Sequence, residues 1–151
     1  MSRLRGIPSI ISPELIYTLA RMGHGDEIVF ADSNFPSFST CKSGPELIDA
    51  SGHPIPELLK AILPLFPLDC HVFNPAIVMG LVNSDKKKGI QVEIWNKYVD
   101  ILESFETDRS ITLLEIERFE FYERAKRAFA VVATSETALY GNIILKKGVI
   151  S

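Results

Sequence analysis

Cysteine is scarce in this chain: Cys41 and Cys70 are the only two among 151 residues, and neither belongs to a CxxC pair. They supply no disulfide framework and no thiolate metal site, so free thiols in a reducing compartment, the cytoplasm, are expected. An excess of one charge is also lacking. Sixteen Lys and Arg stand against nineteen Asp and Glu, giving a formal net charge of -3 and a pI near 5.6. A polyanion partner would favour a basic face, so no nucleic acid is expected. Long hydrophobic runs are missing too. The longest clean one, Ala76 to Val82, falls far short of the ~20 residues that cross a bilayer, although mean hydropathy is +0.15. No membrane partner is expected, and the segment Met1 to Pro8 lacks the apolar core and cleavage site of a secretory signal. Dinucleotide-binding and Walker glycine loops are absent, as is the Gly-x-Ser-x-Gly elbow, so the sequence signals no cofactor and no serine nucleophile.

What remains is an ordinary globular composition, 46% hydrophobic and 23% charged, with enough apolar area to offset the entropy of ordering. The length fits a single domain over residues 1–151 without repeat or linker. Ser12-Pro13 reads as a helix start, serine at the cap and proline in the first turn, with Leu15, Ile16 and Leu19 on the apolar face and Gly23 as a stop. Glu27 to Ala31 has the short apolar run of a buried strand. Ser33 to Pro54, rich in Ser, Gly, Pro and Asn, reads as irregular. A second helix is expected from Pro56 to about Phe66, shortened or kinked by Pro64, then an extended segment from Val72 to Val82. Asp85 to Gly89 reads as a solvated charged turn. A third helix carries Ile94, Trp95, Tyr98, Ile101, Leu102 and Phe105 at helical spacing. Strands over Ile111 to Ile116, Ala128 to Ala133 and Asn142 to Leu145, with a helix from Arg118 to Arg127, complete the chain. This alternation predicts an α/β fold, a sheet covered by helices on both faces.

The densest polar cluster is Gly23-His24-Gly25-Asp26-Glu27, with Asp32 beyond the strand that follows. An imidazole between two glycines has little steric cover and titrates near pH ~6.5, where it both gives and takes protons. The plainer role for His24 is to cap the preceding helix, and for Asp32 to cap a turn. His24, Asp26 and Asp32 could offer metal ligands, but His53 and His71 lie in other segments without ligand spacing, so no metal is expected. Arg118 and Tyr122 are four apart and share a helix face. In Tyr140-Gly141-Asn142 the glycine lets backbone approach a ligand. Phenol, carboxamide, carboxylate and guanidinium together make a polyol-binding set.

Ser12-Pro13-Glu14-Leu15, Gly23 to Glu27, Ala31-Asp32, Asn34-Phe35-Pro36, Arg118 to Ala125 and Tyr140 to Gly148 resemble the fucose mutarotases, which share a superfamily with the D-ribose pyranases. The resemblance spans nearly the whole chain and looks closest to the animal members. It implies a three-layer α/β/α domain with a central mixed sheet, assembled into homo-oligomeric rings, often decameric. The implied activity is interconversion of the α and β anomers of L-fucose without metal or organic cofactor. His24 then looks like the proton donor, with Tyr122 or Tyr140 handling the anomeric proton. Asp32, Asp69, Arg118 and Asn142 would bind the sugar together with Tyr122, Tyr140 and the backbone of Gly141. The pyranases carry a histidine where this chain has Arg118, which favours fucose over ribose. Two other readings stay open: a pyranose–furanose isomerase acting on ribose, and a ring-forming sugar-binding protein without catalysis. Pocket residues drawn from two subunits are also an open possibility.

Overall fold

The computed structural model describes residues 4–106 and 108–151. Met1 to Arg3, the start of the segment read for a secretory signal, and Thr107 lie outside the described residues. Helix α1 (Pro13–Arg21) begins as its sequence predicts: Ser12 Oγ accepts the Leu15 N–H at 3.1 Å, and Pro13 occupies the first turn. Strand β1 (Glu27–Ala31) follows, then a short helix α2 (Ser37–Cys41), strand β2 (Glu46–Ala50) and helix α3 (Ile55–Ile62). β3 (Ala76–Met79) leads to a short α4 (Asn83–Lys87) and the long α5 (Glu93–Phe105). β4 (Leu114–Ile116), α6 (Arg118–Lys126), β5 (Ala130–Thr134) and β6 (Ile143–Lys146) finish the fold.

The six strands form one mixed sheet in the order β2-β5-β1-β6-β3-β4. β5 runs parallel to both β1 and β2, and β3 parallel to β4. β6 alone is antiparallel, to β1 on one side and β3 on the other. Period-two alternation divides β1 between two cores. Ile28 and Phe30 join Leu15, Leu58, Leu59, Ile62, Tyr98 and Leu102 under α1, α3 and α5. Val29 and Ala31 meet Phe35, Phe121, Ala125 and Ile144 under α2 and α6. The result is the expected three-layer α/β/α arrangement, with β1 and β6 buried at its centre.

Three elements depart from the sequence reading. Ser33 to Pro54, expected to be irregular, contains α2 and β2, and the expected charged turn Asp85 to Gly89 overlaps the end of α4. β2 is an edge strand, polar at Glu46 and Asp49, and its order comes from pairing with β5 rather than from its own composition. Pro64 ends α3 as expected, at the Leu63 cap. Cys41 and Cys70 are free thiols. No helix among the described residues is long and apolar enough to cross a membrane.

Candidate active site

β1 ends in two polar clusters, one beyond each terminus. At its C-terminal end a cleft of about 300 Å³ is lined by Asp32, Arg118, Tyr122, Tyr140 and Asn142, along with Asn34, Phe35, Met79, Val82, Asp85 and Leu139. Five of the residues singled out from sequence thus converge. Asp32 and Asn142 are both buried, and the Asp32 N–H donates to Asn142 Oδ1 at 2.7 Å. Asp32 Oδ1 accepts the Asn34 N–H at 3.0 Å, so it caps the turn and faces the cleft at once. Burial pushes the Asp32 carboxyl above its ordinary range, against backbone N–H groups of Asn34, Gly141 and Phe35 that hold it down.

Tyr140 adopts a left-handed backbone, φ 59°, the only such non-glycine among the described residues. Strain of this kind persists only where the surroundings fix it, and they do. Trp95 Nε1–H donates to the Tyr140 carbonyl at 2.9 Å and the Tyr98 hydroxyl to that of Gly141 at 2.7 Å. The buried Glu136 carboxylate accepts the N–H groups of Thr137, Ala138 and Ile55, pinning the same loop to the start of α3. The Tyr140 hydroxyl donates to Asp85 Oδ2 at 2.5 Å. Burial first, then this bond, raises the phenol's pKa, so the group stays protonated at neutral pH. Gly141 is also required by packing. A Cβ there would stand 2.9 Å from the Ala138 carbonyl and 3.2 Å from Glu136 Cγ, so its smallness serves packing within the chain.

The other cluster lies at the N-terminal end of β1. His24 Nε2 is 3.2 Å from Asp69 Oδ1, and the His71 N–H donates to the same oxygen at 2.9 Å. Asp69 is buried, whereas the side chains of His24 and His71 are 45% and 62% exposed. Burial pushes the Asp69 carboxyl up, but the His71 N–H and the two imidazoles outweigh it and hold the group below its usual range. A neutral His24 that donates Nε2–H to this carboxylate leaves the Nδ1 lone pair for proton exchange. Helix capping is not its role. Lys147 Nζ–H donates to the Leu19 and Met22 carbonyls at 3.1 and 2.5 Å and does that work instead.

His24, Asp26 and Asp32, weighed as possible ligands from the sequence, do not come together. Asp26 accepts the Gly23 N–H at 2.7 Å, and Asp32 stands beyond the other end of the strand. His71, which sequence spacing set aside, packs against His24 with ring centroids 5.1 Å apart. Asp85, read as solvated, is the Tyr140 partner. No sequence motif signals either contact, because both partners are far away along the chain. Five residues at about 3.3 Å each put the two clusters roughly 16 Å apart within one chain. His24 and Asp69 therefore meet each other but not the cleft that holds Asp32, Arg118, Tyr122, Tyr140 and Asn142.

Residues 5–150 match the model of the RbsD / FucU transport protein family. The fucose mutarotase of Mus musculus is 62% identical over 148 residues, covering 98% of this chain and 95% of that protein. The fucose mutarotase of Homo sapiens is 60% identical over 151 residues, 100% of this chain and 97% of that one. Among solved structures, the fucose mutarotase from Streptococcus pneumoniae in complex with L-fucose superposes with a TM-score of 0.88 at 48% identity, covering 98% of this chain and 100% of that one.

Proposed function

The chain belongs to the RbsD / FucU family, and from that premise we propose that it is an L-fucose mutarotase, an isomerase that interconverts the α and β anomers of the sugar. The observation that carries this reading is the cleft beyond β1, where a buried carboxylate, a carboxamide, a guanidinium and two phenols converge on a volume of about 300 Å³. Such a set matches the ring of hydroxyls on a monosaccharide, each needing a donor or an acceptor.

Mutarotation removes the proton of the anomeric hydroxyl and delivers one to the ring oxygen. The C1–O bond of the ring breaks to give an aldehyde, the C1–C2 bond rotates, and closure on the opposite carbonyl face reverses both proton transfers. No electron leaves the sugar, so acid–base groups suffice. His24 gives the proton to the ring oxygen, and Asp69 fixes its tautomer while staying within reach of the sugar. Tyr122 or Tyr140 handles the anomeric proton; Asp85 stands ready to accept through the Tyr140 hydroxyl. Asp32, Arg118 and Asn142 hold the remaining hydroxyls, with Gly141 contributing backbone.

Because one strand separates His24 from the cleft, the reading requires two copies: His24 and Asp69 of one face the cleft of the next. Exposed apolar side chains flank both clusters, Phe73 beside His71, and Phe119 and Leu139 beside Tyr122 and Tyr140, as surfaces meant to meet would have. We infer that head-to-tail contact of this kind closes into a ring, as the family resemblance implies, often a decamer. A single domain over the whole chain, working in the cytoplasm where its free thiols persist, completes the proposal.

Anomer-resolved NMR of L-fucose, with and without the protein, tests it, followed by the same run on ribose. Saturation transfer between the fucose anomers should rise in proportion to protein. Ribose ring-form exchange outpacing it would reassign the protein as a pyranase, and fucose binding without faster exchange would leave a sugar-binding ring.

A further inference from the structure

Three donor atoms at the exposed end of β1 lie within 4.8 Å of one another: His24 Nε2, Asp69 Oδ1 and His71 Nδ1. We propose that they form a three-ligand site for a divalent transition-metal ion of the zinc class, and that an ion bound there withdraws His24 from proton transfer. The second half rests on the mutarotase reading; the first does not.

The geometry is already close to what such an ion demands. Bonds of 2.0–2.1 Å arranged tetrahedrally separate neighbouring ligand atoms by ~3.3 Å. The His24–Asp69 and His71–Asp69 edges measure 3.2 and 3.4 Å. The third edge closes by rotation of two exposed rings, which are tilted 51° rather than stacked. Asp69 is the fixed corner. Its N–H donates to the Lys146 carbonyl at 3.0 Å, its own carbonyl accepts from Arg109 Nη2 at 2.8 Å, and its side chain is 5% exposed. Two imidazoles and a carboxylate suit zinc, cobalt or nickel rather than calcium or magnesium, and a fourth position stays open to water. An ion on Nε2 replaces the hydrogen shared with Asp69. The neutral ring then carries its proton on Nδ1 and has no free lone pair, so it cannot cycle between acid and base.

The test uses chelator-stripped protein titrated with Co²⁺, read by its visible absorption, and with Zn²⁺, read by calorimetry. Wild type should bind one ion per chain with the intense bands of four-coordinate cobalt. His71→Tyr should weaken binding at least about tenfold while circular dichroism stays native. Cys70→Ser should bind like wild type, although its thiol sulfur lies 3.7 Å from His71 Nδ1. Zinc should inhibit fucose anomer exchange over its own binding range in wild type, and only at higher concentration in His71→Tyr. An absence of cobalt bands and zinc heat up to millimolar metal would overturn the site. So would equal affinity in His71→Tyr, or loss of binding in Cys70→Ser. Undiminished exchange at saturating zinc, or exchange that depends on zinc, would overturn the competition at His24. If the stripped protein exchanges no fucose at all, the mutarotase reading fails while the cobalt titration still decides the metal site.

Discussion

The two ends of β1 are built to different standards of rigidity. Beyond its C-terminus, Asp32 and Asn142 are buried and bonded to each other, and Tyr140 is bonded at both its carbonyl and its hydroxyl. Beyond its N-terminus, Asp69 alone is buried, and two half-exposed imidazoles lean on it. A sugar is gripped by groups whose positions are settled before it arrives, which keeps the entropy cost of binding low. His24, the proposed proton carrier, instead stands half-exposed. On the proposed reading, the sugar grip and the anomeric proton fall to the cleft and the ring-oxygen proton to His24 at the opposite pole of the strand, so that association of two copies would have to bring them together.

Removing His24 breaks this comparison most severely. His24→Ala should slow fucose exchange by ~10²–10⁴-fold, the usual share of one acid–base group. Its thermal midpoint should stay near that of wild type, because the ring is exposed and caps nothing. Tyr140→Phe disables the opposite pole. Mixed after co-refolding, the two inactive variants should recover about a quarter of wild-type exchange, since random assembly pairs an intact imidazole end with an intact cleft at that frequency. No recovery in the mixture would confine the whole site to one chain.

The sequence made the cleft end more legible than the imidazole end. Arg118 and Tyr122 share a helix face by simple spacing, and Tyr140 to Asn142 sit together in the chain, so their meeting needed only one tertiary contact. His24, Asp69 and His71 are brought together by the bridge of Leu68 to Lys147, which depends on β6 running antiparallel. No local pattern encodes that. The same reason hid β2. Its residues become a strand only because β5 lies beside it, whereas β1 announces itself by being apolar on both faces. Glu136 was silent because a lone glutamate in a polar loop gives no hint that three backbone N–H groups surround it.

Two glycines allow each pole to be disturbed separately. A Cβ on Gly148 would stand 2.4 Å from the Leu68 carbonyl oxygen and 2.9 Å from Asp69 Cα, all backbone that cannot yield. Gly148→Ala should therefore cost about 1–3 kcal/mol, lowering the midpoint by about 2–4 °C for each of these in a chain of this size. It should also carry Asp69 away from His24 and slow exchange more than it weakens fucose binding. Gly141→Ala meets one carbonyl at 2.9 Å and the Glu136 side chain at 3.2 Å, looser contacts than those at Gly148, so its smaller penalty should fall on sugar affinity instead. Calorimetric melting and fucose titration of both variants would reveal any exchange of these two phenotypes.

The smallest expected effects have opposite signs at the two ends. Asp32 has its pKa raised in the folded state, chiefly by burial, so the unfolded chain ionises first and stability falls as pH climbs through that interval. The penalty is complete once pH passes the folded-state pKa. Asp32→Asn should then melt slightly higher than wild type at pH 7, with the gain gone below about pH 3.9, and should bind fucose more weakly. Asp69 has its pKa lowered by its donors. Its contribution is present above the unfolded pKa and is lost as pH falls through the folded one, so Asp69→Asn should melt lower at pH 7 and match wild type in strong acid. Melting curves of both variants between pH 3 and 8 would separate a carboxylate kept at a cost to stability, for the sake of the sugar, from one that the fold itself rewards. If both shifted the same way, the division of labour along β1 would lose its energetic basis.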